Sequence, residues 1–361
     1  MNAAPDVDVI MSTLDEENDI SDALDSVLDQ TIPVLVTIVD GGSRDRTVGI
    51  LRARARVDPR VRVIADGRRR SLPEALNLAL EHTSHPFVAK VDARTFIAPD
   101  FLERSLEVLG ERENANAACA GGQPEQFGTT PFGEGVARAR TTRFGVGGSG
   151  YADRRERADV DSVQCGVYRR SALAHVGNFD PLLQFGEDEE LNWRLRRAGF
   201  RIVRDASVRF AYATRSSWPA AFRQYRNYGR ARVAVAAKHP KFARPHHLVP
   251  AAALLAGAVL LVAAPVSRLA RFALGAGALL YGAAAAAASV RACGPRIGDA
   301  TWTVAAFTAL HAGYGLGVLE GSAAPAFRRT RSVPRPGGLR DHPPVSEGSS
   351  DPVAGMPTVV G

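Results

Sequence analysis

Carboxylates stand where three apolar runs of this sequence break off, and a fourth group opens an amphipathic stretch. "VDVIMS" leads into Asp15, Glu16 and Glu17 of "STLDEEND"; "VLVTIVD" ends on Asp40 in "VDGGSRDRT"; "PFVAKVD" ends on Asp92. "GEDEELNWRLRRAGF" carries the consecutive acids Glu187–Glu190. Acids at a helix N-terminus can simply offset the macrodipole, so each group has a structural explanation beside a chemical one. Asp40 is placed to accept hydrogen bonds from a ribose or a base edge, and Gly41 and Gly42 permit a tight turn and close approach of a ligand to the backbone. Ser43 and Asp45 can cap the following helix, which accounts for them without a ligand. Asp92 could give one oxygen to Mg2+ or Mn2+, which often take one or two carboxylates together with substrate phosphates. Where a second acid would complete the pair stands Arg94, a guanidinium that can pair with a diphosphate directly or remain a solvated turn arginine. An aspartate among residues 187–190 could take a proton from an attacking hydroxyl.

The elements that must position these groups follow from periodicity. "VDVIMS", "VLVTIVD", "VRVI" and "PFVAKVD" read as strands alternating with helices over "EENDISDALDSVLDQ" and around Pro73–Glu81. In the first helix Ile20, Leu24, Val27 and Leu28 share a face. Nearly unbroken apolar strands are expected when helices cover both faces of a parallel sheet. The alternation gives an α/β fold, a doubly wound sheet with right-handed crossovers, whose ligands bind beyond the carboxyl ends of the strands. Asp15–Glu17, Asp40 and Asp92 then line one rim. In "GEDEELNWRLRRAGF", Leu191, Leu195 and Ala198 form the inner face and Gly199 ends the helix.

The last third differs. Leu248–Val266 and Phe272–Val290 carry no charge, and Ala300–Leu319 has no Asp, Glu, Lys or Arg and only His311 as a basic side chain. Each is near the roughly 20 residues that a helix needs to cross a bilayer. The net charge of +7 is uneven, since the segment from Lys238 to Arg340 is rich in Arg and has only Asp299 and Glu320 as acids. Such a basic end could bind nucleic acid, but the apolar runs beside it favour a membrane surface, so no nucleic-acid partner is expected. "KHPKFARPHH" suggests a cytoplasmic entry by the positive-inside rule. Three crossings would then place Arg328, Arg329 and Arg331 on the far side, unless one run is re-entrant or interfacial. The mixed Arg, aromatic and Lys stretch from Phe222 to His247 suits an interfacial helix. The three scattered cysteines argue against a zinc site or a disulfide framework. No basic start followed by an apolar core marks a cleavable signal peptide. His175, His311 and the Gly-rich loop 145–150 receive no role.

"DEE", "VDGGSRDRT", "VDA" followed by "PDFL", "GVYRRSAL" with "VGNFD", and "GEDEELNWRLRRAGF" occur in the order and spacing of the family 2 glycosyltransferases, which have the GT-A fold. "RFGVGGSGYADRRERADVDSVQCGVYRR" and "FRQYRNYGRAR" look most like the exopolysaccharide, succinoglycan-type branch. The resemblance covers about residues 6–240. It implies an inverting enzyme that moves a sugar from a nucleoside-diphosphate donor, usually a uridine one, to an acceptor hydroxyl. Ser12, Thr13, Glu16 and Asp40, with Gly41 and Ser43 beside them, match positions that hold the donor nucleotide. Asp92 matches the first acid of D-x-D and would reach the diphosphate through Mg2+ or Mn2+, with Arg94 at the position of the second acid. Asp188 matches the general base, with Glu187 next to it. Gly166 matches the backbone that borders donor sugar and acceptor. Processive synthases carry Q-x-x-R-W, whereas this chain reads Gln224-Tyr225-Arg226-Asn227-Tyr228, which implies one residue per encounter.

The organisation expected is therefore a cytoplasmic GT-A domain over 6–240, a membrane region over 241–321 with two or three transmembrane helices, and a disordered tail over 322–361. The protein is expected in the cell (inner) membrane as a multi-pass enzyme whose acceptor is a saccharide or a polyprenyl-linked glycan. A different class of explanation is a catalytically inactive, nucleotide-sugar-binding membrane scaffold. The lack of G-x-G-x-x-G after the first strand argues against an oxidoreductase of the dinucleotide-binding type.

Overall fold

The computed structural model describes residues 7–147, 156–294 and 297–323. The Gly-rich loop beyond Gly147 and the tail from residue 324 lie outside the described residues. Alternation of strand and helix opens the chain: β1 (Val7–Thr13), α1 (Ile20–Leu28), β2 (Val34–Asp40), α2 (Thr47–Val57), β3 (Val61–Ile64), α3 (Leu72–Glu81) and β4 (Phe87–Lys90). Then come β5 (Thr95–Ile97), α4 (Phe101–Gly110), β6 (Ala117–Gly121), β7 (Pro124–Phe127), α5 (Pro131–Arg140), α6 (Arg143–Val146), β8 (Arg157–Asp159), β9 (Gly166–Arg169), α7 (Arg170–Val176), α8 (Glu187–Arg197), β10 (Arg201–Asp205) and β11 (Phe210–Ala213).

Eight strands form one sheet in the order β3-β2-β1-β4-β9-β6-β10-β8. β3, β2, β1 and β4 are parallel, and β9 runs antiparallel between β4 and β6. β5, β11 and β7 make a small second sheet. The sheet is doubly wound as the apolar runs require. Val9 and Met11 pack on one face with Ile20 and Leu24 of α1 and Phe101 of α4. Ile10 packs on the other with Leu76 of α3 and Leu191 and Leu195 of α8. The period of two along each strand delivers alternate side chains to the two helical layers. Gly199, at φ 92°, stops α8 as its sequence implies. Ala198 departs from expectation: it is exposed, because it lies past the last helical turn rather than on the inner face.

α9 (Trp218–Lys238) follows the second sheet, and Glu190 joins it to α8. This carboxylate is fully buried and accepts from Arg194 Nε at 2.9 Å, Lys238 Nζ at 2.5 Å and His239 Nε2 at 2.8 Å. Burial opposes its ionisation, yet these donors hold its pKa down at about 2. A folded-state value below the unfolded one means stability that is present above the usual carboxylate range and lost as pH falls towards 2. Glu190→Gln is therefore expected to destabilise the chain by about 3 kcal/mol at pH 7. The gap to wild type, measured by denaturant midpoints, should narrow as pH falls from about 5 to 2. A gap that stayed constant with pH would remove the ion pair from the account.

Three helical stretches long and apolar enough to cross a membrane complete the described chain: Pro245–Ala263, whose α-helical part is α10 (Val249–Ala263), then α11 (Arg268–Cys293) and α12 (Ala300–Ala323). They are not alike. The first two apolar windows are 6% and 11% buried, the third 50%. α12 lies alongside α9. A Cβ on Gly317 would stand 2.0 Å from the carbonyl oxygen of Arg226, and one on Gly229 2.2 Å from that of Tyr314, so only glycine allows the two backbones to meet. Trp218 Nε1 donates to Thr308 Oγ1 at 3.0 Å near one end, and Glu320 accepts from Arg226 Nε at 2.8 Å and Arg230 Nε at 2.8 Å near the other.

Candidate active site

The carboxyl ends of β1, β2 and β4 open on a cavity of about 1800 Å3. That exceeds the roughly 300–1,000 Å3 of an ordinary small-molecule site because the space continues from the strand ends to residues of α10, α11 and α12. Ser12, Thr13, Glu16, Gly41, Asp92, Arg94, Glu187 and Asp188 all line it.

At its centre is a residue that the sequence reading passed over. Val88 and Lys90 leave β4 on the α8 face, while Ala89 and Val91 go to the other. Lys90 is only 2% exposed. Its ammonium stands 2.6 Å from Asp188 Oδ2, 2.8 Å from Asp92 Oδ1 and 3.5 Å from Glu187 Oε1. A lysine inside an apolar strand has to find such partners, because burying an unpaired charge is prohibitive. Burial alone would push its pKa down, but the surrounding Asp188, Asp92 and Glu187 hold it well above the usual value. Burial pushes the Asp188 carboxyl well up; Lys90 opposes this, and Glu187 and Asp92 add to it. Burial outweighs the single ammonium, and the two neighbouring acids add to it, which is why the carboxyl rises beside a cation. Asp188 Oδ2 accepts a hydrogen bond from the Lys90 ammonium, while Oδ1 is buried with no partner among the described residues.

Gly186, at φ 83°, precedes this acidic turn and presents it to β4. A Cβ there would meet Ala231 of α9 at 3.1 Å, on top of the strained backbone, so glycine is favoured on both counts.

The other expected site residues divide. Thr13 Oγ1 is buried and unpartnered among the described residues. The Asp40 carboxylate turns back into its own loop, accepting from Gly42 N at 2.9 Å and from Ser43 N and Oγ at 3.0 and 2.5 Å. Neither Asp40 nor Ser43 is among the cavity-lining residues. Ser43 Oγ accepts from Asp15 N at 2.9 Å and Asp45 from Glu17 N at 3.1 Å, so this loop and the first are tied together. Asp45 also accepts from Thr47 N at the start of α2, the capping expected of it. Gly166 does not line the cavity either. It pairs with Lys90 and Gly121 inside the sheet, where a Cβ would stand 2.8 Å from Cys119 Sγ.

Arg94 lines the cavity but is committed elsewhere. Its Nη1 donates to Asp19 at 2.6 Å and Glu16 at 3.4 Å, its Nε to the Ala213 carbonyl at 3.1 Å and its Nη2 to the Thr214 carbonyl at 3.0 Å. The guanidinium therefore brackets the first loop against β11 instead of reaching out for a diphosphate. Glu16, whose pKa burial raises against the pull of Arg215 and Arg94, is held by the same bracket. Arg94→Met should cost about 3 kcal/mol of stability through the buried acids and carbonyls it abandons. Unfolding midpoints check this; an unchanged midpoint with lost nucleotide affinity would return the residue to the diphosphate.

Metal fit follows from the same geometry. Among the described residues no group of three or more His, Cys, Asp or Glu is arranged to hold an ion. Asp92 faces the cavity, 31% exposed, with one oxygen on Lys90. This donor set suits a Mg2+ or Mn2+ that brings its remaining ligands as substrate phosphates and water, not a resident ion caged by protein.

Around the far side stand Arg215 and Arg232, which sequence reasoning missed, and the α9 residues compared above with Q-x-x-R-W. Arg215 pairs with Glu16 at 3.4 Å, and Arg232 of α9 with Glu189 at 2.9 Å. Gln224 donates to the Tyr212 and Tyr228 hydroxyls at 3.1 and 3.0 Å, and Arg226 faces Glu320 of α12 rather than the cavity.

Comparison with known proteins agrees with this fold. Residues 8–177 match the family model described as glycosyl transferase family 2. The chain is 28% identical over 248 residues to the succinoglycan biosynthesis protein ExoA of Rhizobium meliloti (strain 1021), covering 68% of this chain and 74% of that protein. It is 23% identical over 234 residues to a dolichyl N-acetyl-alpha-D-glucosaminyl phosphate 3-beta-D-2,3-diacetamido-2,3-dideoxy-beta-D-glucuronosyltransferase of Methanococcus voltae, covering 63% and 72%. A mannosyltransferase from Pyrobaculum calidifontis, solved with GDP-Man and Mn2+, superposes with a TM-score of 0.59 at 21% identity over 89% of this chain and 88% of that one.

Proposed function

Residues 8–177 form a glycosyl transferase family 2 domain with the GT-A fold, and from that premise we propose an inverting transfer of a sugar. The donor is a nucleoside diphosphate sugar of the UDP-hexose kind. The acceptor is a membrane-associated, lipid-linked glycan in exopolysaccharide or cell-envelope synthesis. The observation that carries the reading is Asp188, anchored through one oxygen to Lys90 and unpartnered at the other, in a cavity shared with Asp92.

The Asp188 carboxylate takes the proton of the acceptor hydroxyl, whose oxygen attacks the anomeric carbon from the face opposite the leaving nucleoside diphosphate. The transition state has oxocarbenium character, as in glycoside hydrolysis. Lys90 fixes the carboxylate's orientation, and Glu187 adds negative charge beside it. Ser12, Thr13, Glu16 and Gly41 border the nucleotide, while Asp40 and Ser43 shape the turn beneath it. Gly166 keeps β9 close enough to β4 for Lys90 to emerge under α8. Arg94 supports the nucleotide end indirectly, through Glu16 and Asp19. A divalent cation held by Asp92 and the substrate's phosphates would neutralise charge on the leaving diphosphate. With Arg226 turned to α12, nothing in the α9 segment resembles the processive arrangement, and one sugar is transferred per encounter.

The protein sits in the cell (inner) membrane with its catalytic domain in the cytoplasm. α10 and α11 cross the bilayer, and α12 lies at the interface. The support is α12's pairing along α9, whose Arg223, Arg226, Arg230 and Arg232 do not belong in hydrocarbon. Two crossings return the tail with Arg328, Arg329 and Arg331 to the cytoplasmic side, in accord with positive-inside. A Ser332→Cys variant should react with an impermeant maleimide in inverted vesicles and not in intact cells; the opposite pattern restores a third crossing.

The functional reading is tested by thermal shift of the detergent-purified full chain against a panel of nucleotide sugars. A ligand at 100 times its Kd stabilises by about 2.7 kcal/mol. A panel in which nothing raised the midpoint would overturn the reading. Binding without hydrolysis or transfer would favour the inactive scaffold.

A further inference from the structure

Three arginines in succession, Arg68, Arg69 and Arg70, lie in the loop between β3 and α3. Two of them share one acid: Arg70 donates from both Nη groups to Asp66 at 2.6 Å, and Arg68 Nε stands 3.8 Å from it. Arg69 is exposed, lines the cavity, and makes no ion pair or hydrogen bond among the described residues. Its guanidinium therefore keeps its donors for a ligand. The acids that line this end are taken. Glu74 accepts from Ser71 N and Oγ at 2.7 and 2.8 Å, and Glu16 sits in the bracket of Arg94 and Arg215.

Backbone geometry seats Arg69 at the exit of β2. Arg70 N donates to the Gly41 carbonyl at 3.3 Å, which ties the loop to the turn after Asp40. A Cβ on Gly42 would stand 3.4 Å from both Cα and Cδ of Arg69, and one on Gly41 3.7 Å from Cβ of Leu14. The two glycines thus carry two cavity-lining side chains against them, and Leu14 is an apolar one left 41% exposed. The Asp40 oxygens are taken up by Gly42 and Ser43, so this carboxylate offers a ligand nothing here. In the order β3-β2-β1-β4, β2 lies two strands from the one that leads to Asp92. Neighbouring strands are about 4.8 Å apart, so the exits of β2 and β4 are separated by about 10 Å. A nucleotide with its diphosphate at Asp92 brings its base, rather than its phosphates, to Arg69.

Resting on the transferase reading above, we propose that Arg69 selects the donor's nucleobase by its carbonyl edge, with Leu14 packed on the ring. A guanidinium only donates. Uracil presents a carbonyl oxygen at the ring position where cytosine carries an amino group, and guanine does so where adenine carries one. Arg69 therefore admits keto bases and rejects amino bases, which narrows the donor to UDP- or GDP-linked sugars and excludes CDP- and ADP-linked ones. The exposure of Leu14 has a use in the same contact, since the flat face of the base covers it.

The test titrates the detergent-purified full chain with UDP, CDP and inorganic pyrophosphate. UDP should bind at least about tenfold tighter than CDP, the discrimination of one good contact to a base edge. Arg69→Met should remove that preference. It should leave pyrophosphate binding and the unfolding midpoint unchanged, since the side chain has no partner among the described residues to abandon. Arg69→Glu should reverse the order, because a carboxylate accepts from the cytosine amino group. Leu14→Ser should weaken UDP and CDP by a common factor, about threefold, through the lost apolar cover. Equal affinity for UDP and CDP in the wild type, or an undiminished preference in Arg69→Met, overturns the proposal. So does a loss of pyrophosphate affinity in Arg69→Met as large as the loss for UDP, which would make the residue a phosphate contact. A chain that preferred UDP as described but transferred no sugar would sink the transferase reading and leave the base contact standing. Transfer that used UDP- and CDP-linked donors equally would sink the base contact alone.

Discussion

Asp188→Asn lowers sugar transfer by about 10²–10⁴-fold, the range lost with a general base, and leaves the nucleotide thermal shift in place. The asparagine keeps the side chain's shape, and its amide oxygen can still accept the Lys90 proton at the position of Oδ2. What it loses is the basicity of the carboxylate. Initial rates with the donor found in the nucleotide-sugar panel check the prediction. Glu187→Gln and Glu189→Gln serve as controls, because Glu187 also faces Lys90 and Glu189 pairs with Arg232. A smaller loss is expected for each. Near wild-type transfer by Asp188→Asn would move the base to whichever of those controls fell instead.

The strands and their acidic exits were legible because buried parallel strands leave an almost unbroken apolar record, and "VLVTIVD" becomes β2 residue for residue. α8 was legible from its acidic first turn and Gly199. Arg94 was not, since its partners lie 75 residues before it at Asp19 and 120 after it at Thr214, beyond any local pattern. Lys90 did leave a signal: a charge inside "FVAKVD" has to be paired, and strand alternation puts it on the face of Val88. Gly166 illustrates the converse, a motif glycine that the structure uses for close sheet packing. For α12, hydropathy cannot tell a helix covered by protein from one covered by lipid. The readable trace was Gly313, Gly317 and Gly321 at spacings of four, the pattern of helices in close backbone contact.

Lys90→Met is expected to destabilise the catalytic domain by about 3–5 kcal/mol, the cost of leaving buried charges without their partner, and to abolish transfer. Methionine fills much of the lysine's volume, so the loss is electrostatic rather than a cavity effect. Asp92, Glu187 and Asp188 would be left converging on an apolar side chain. The acids could relieve this only by binding protons, and a protonated Asp188 cannot act as a base. The discriminating measurement is a double-mutant cycle read from denaturant midpoints of the full chain. Adding Asp188→Asn to Lys90→Met removes one of the stranded charges, so the double variant should be more stable than Lys90→Met alone, with a coupling of about 0.5–3 kcal/mol. Simple additivity of the two losses would mean that Lys90 acts as a packing residue, and the orientation of Asp188 would then need another cause. Rescue of stability without rescue of transfer is the combination that follows from an ammonium serving to hold one carboxylate in place for chemistry it does not itself perform.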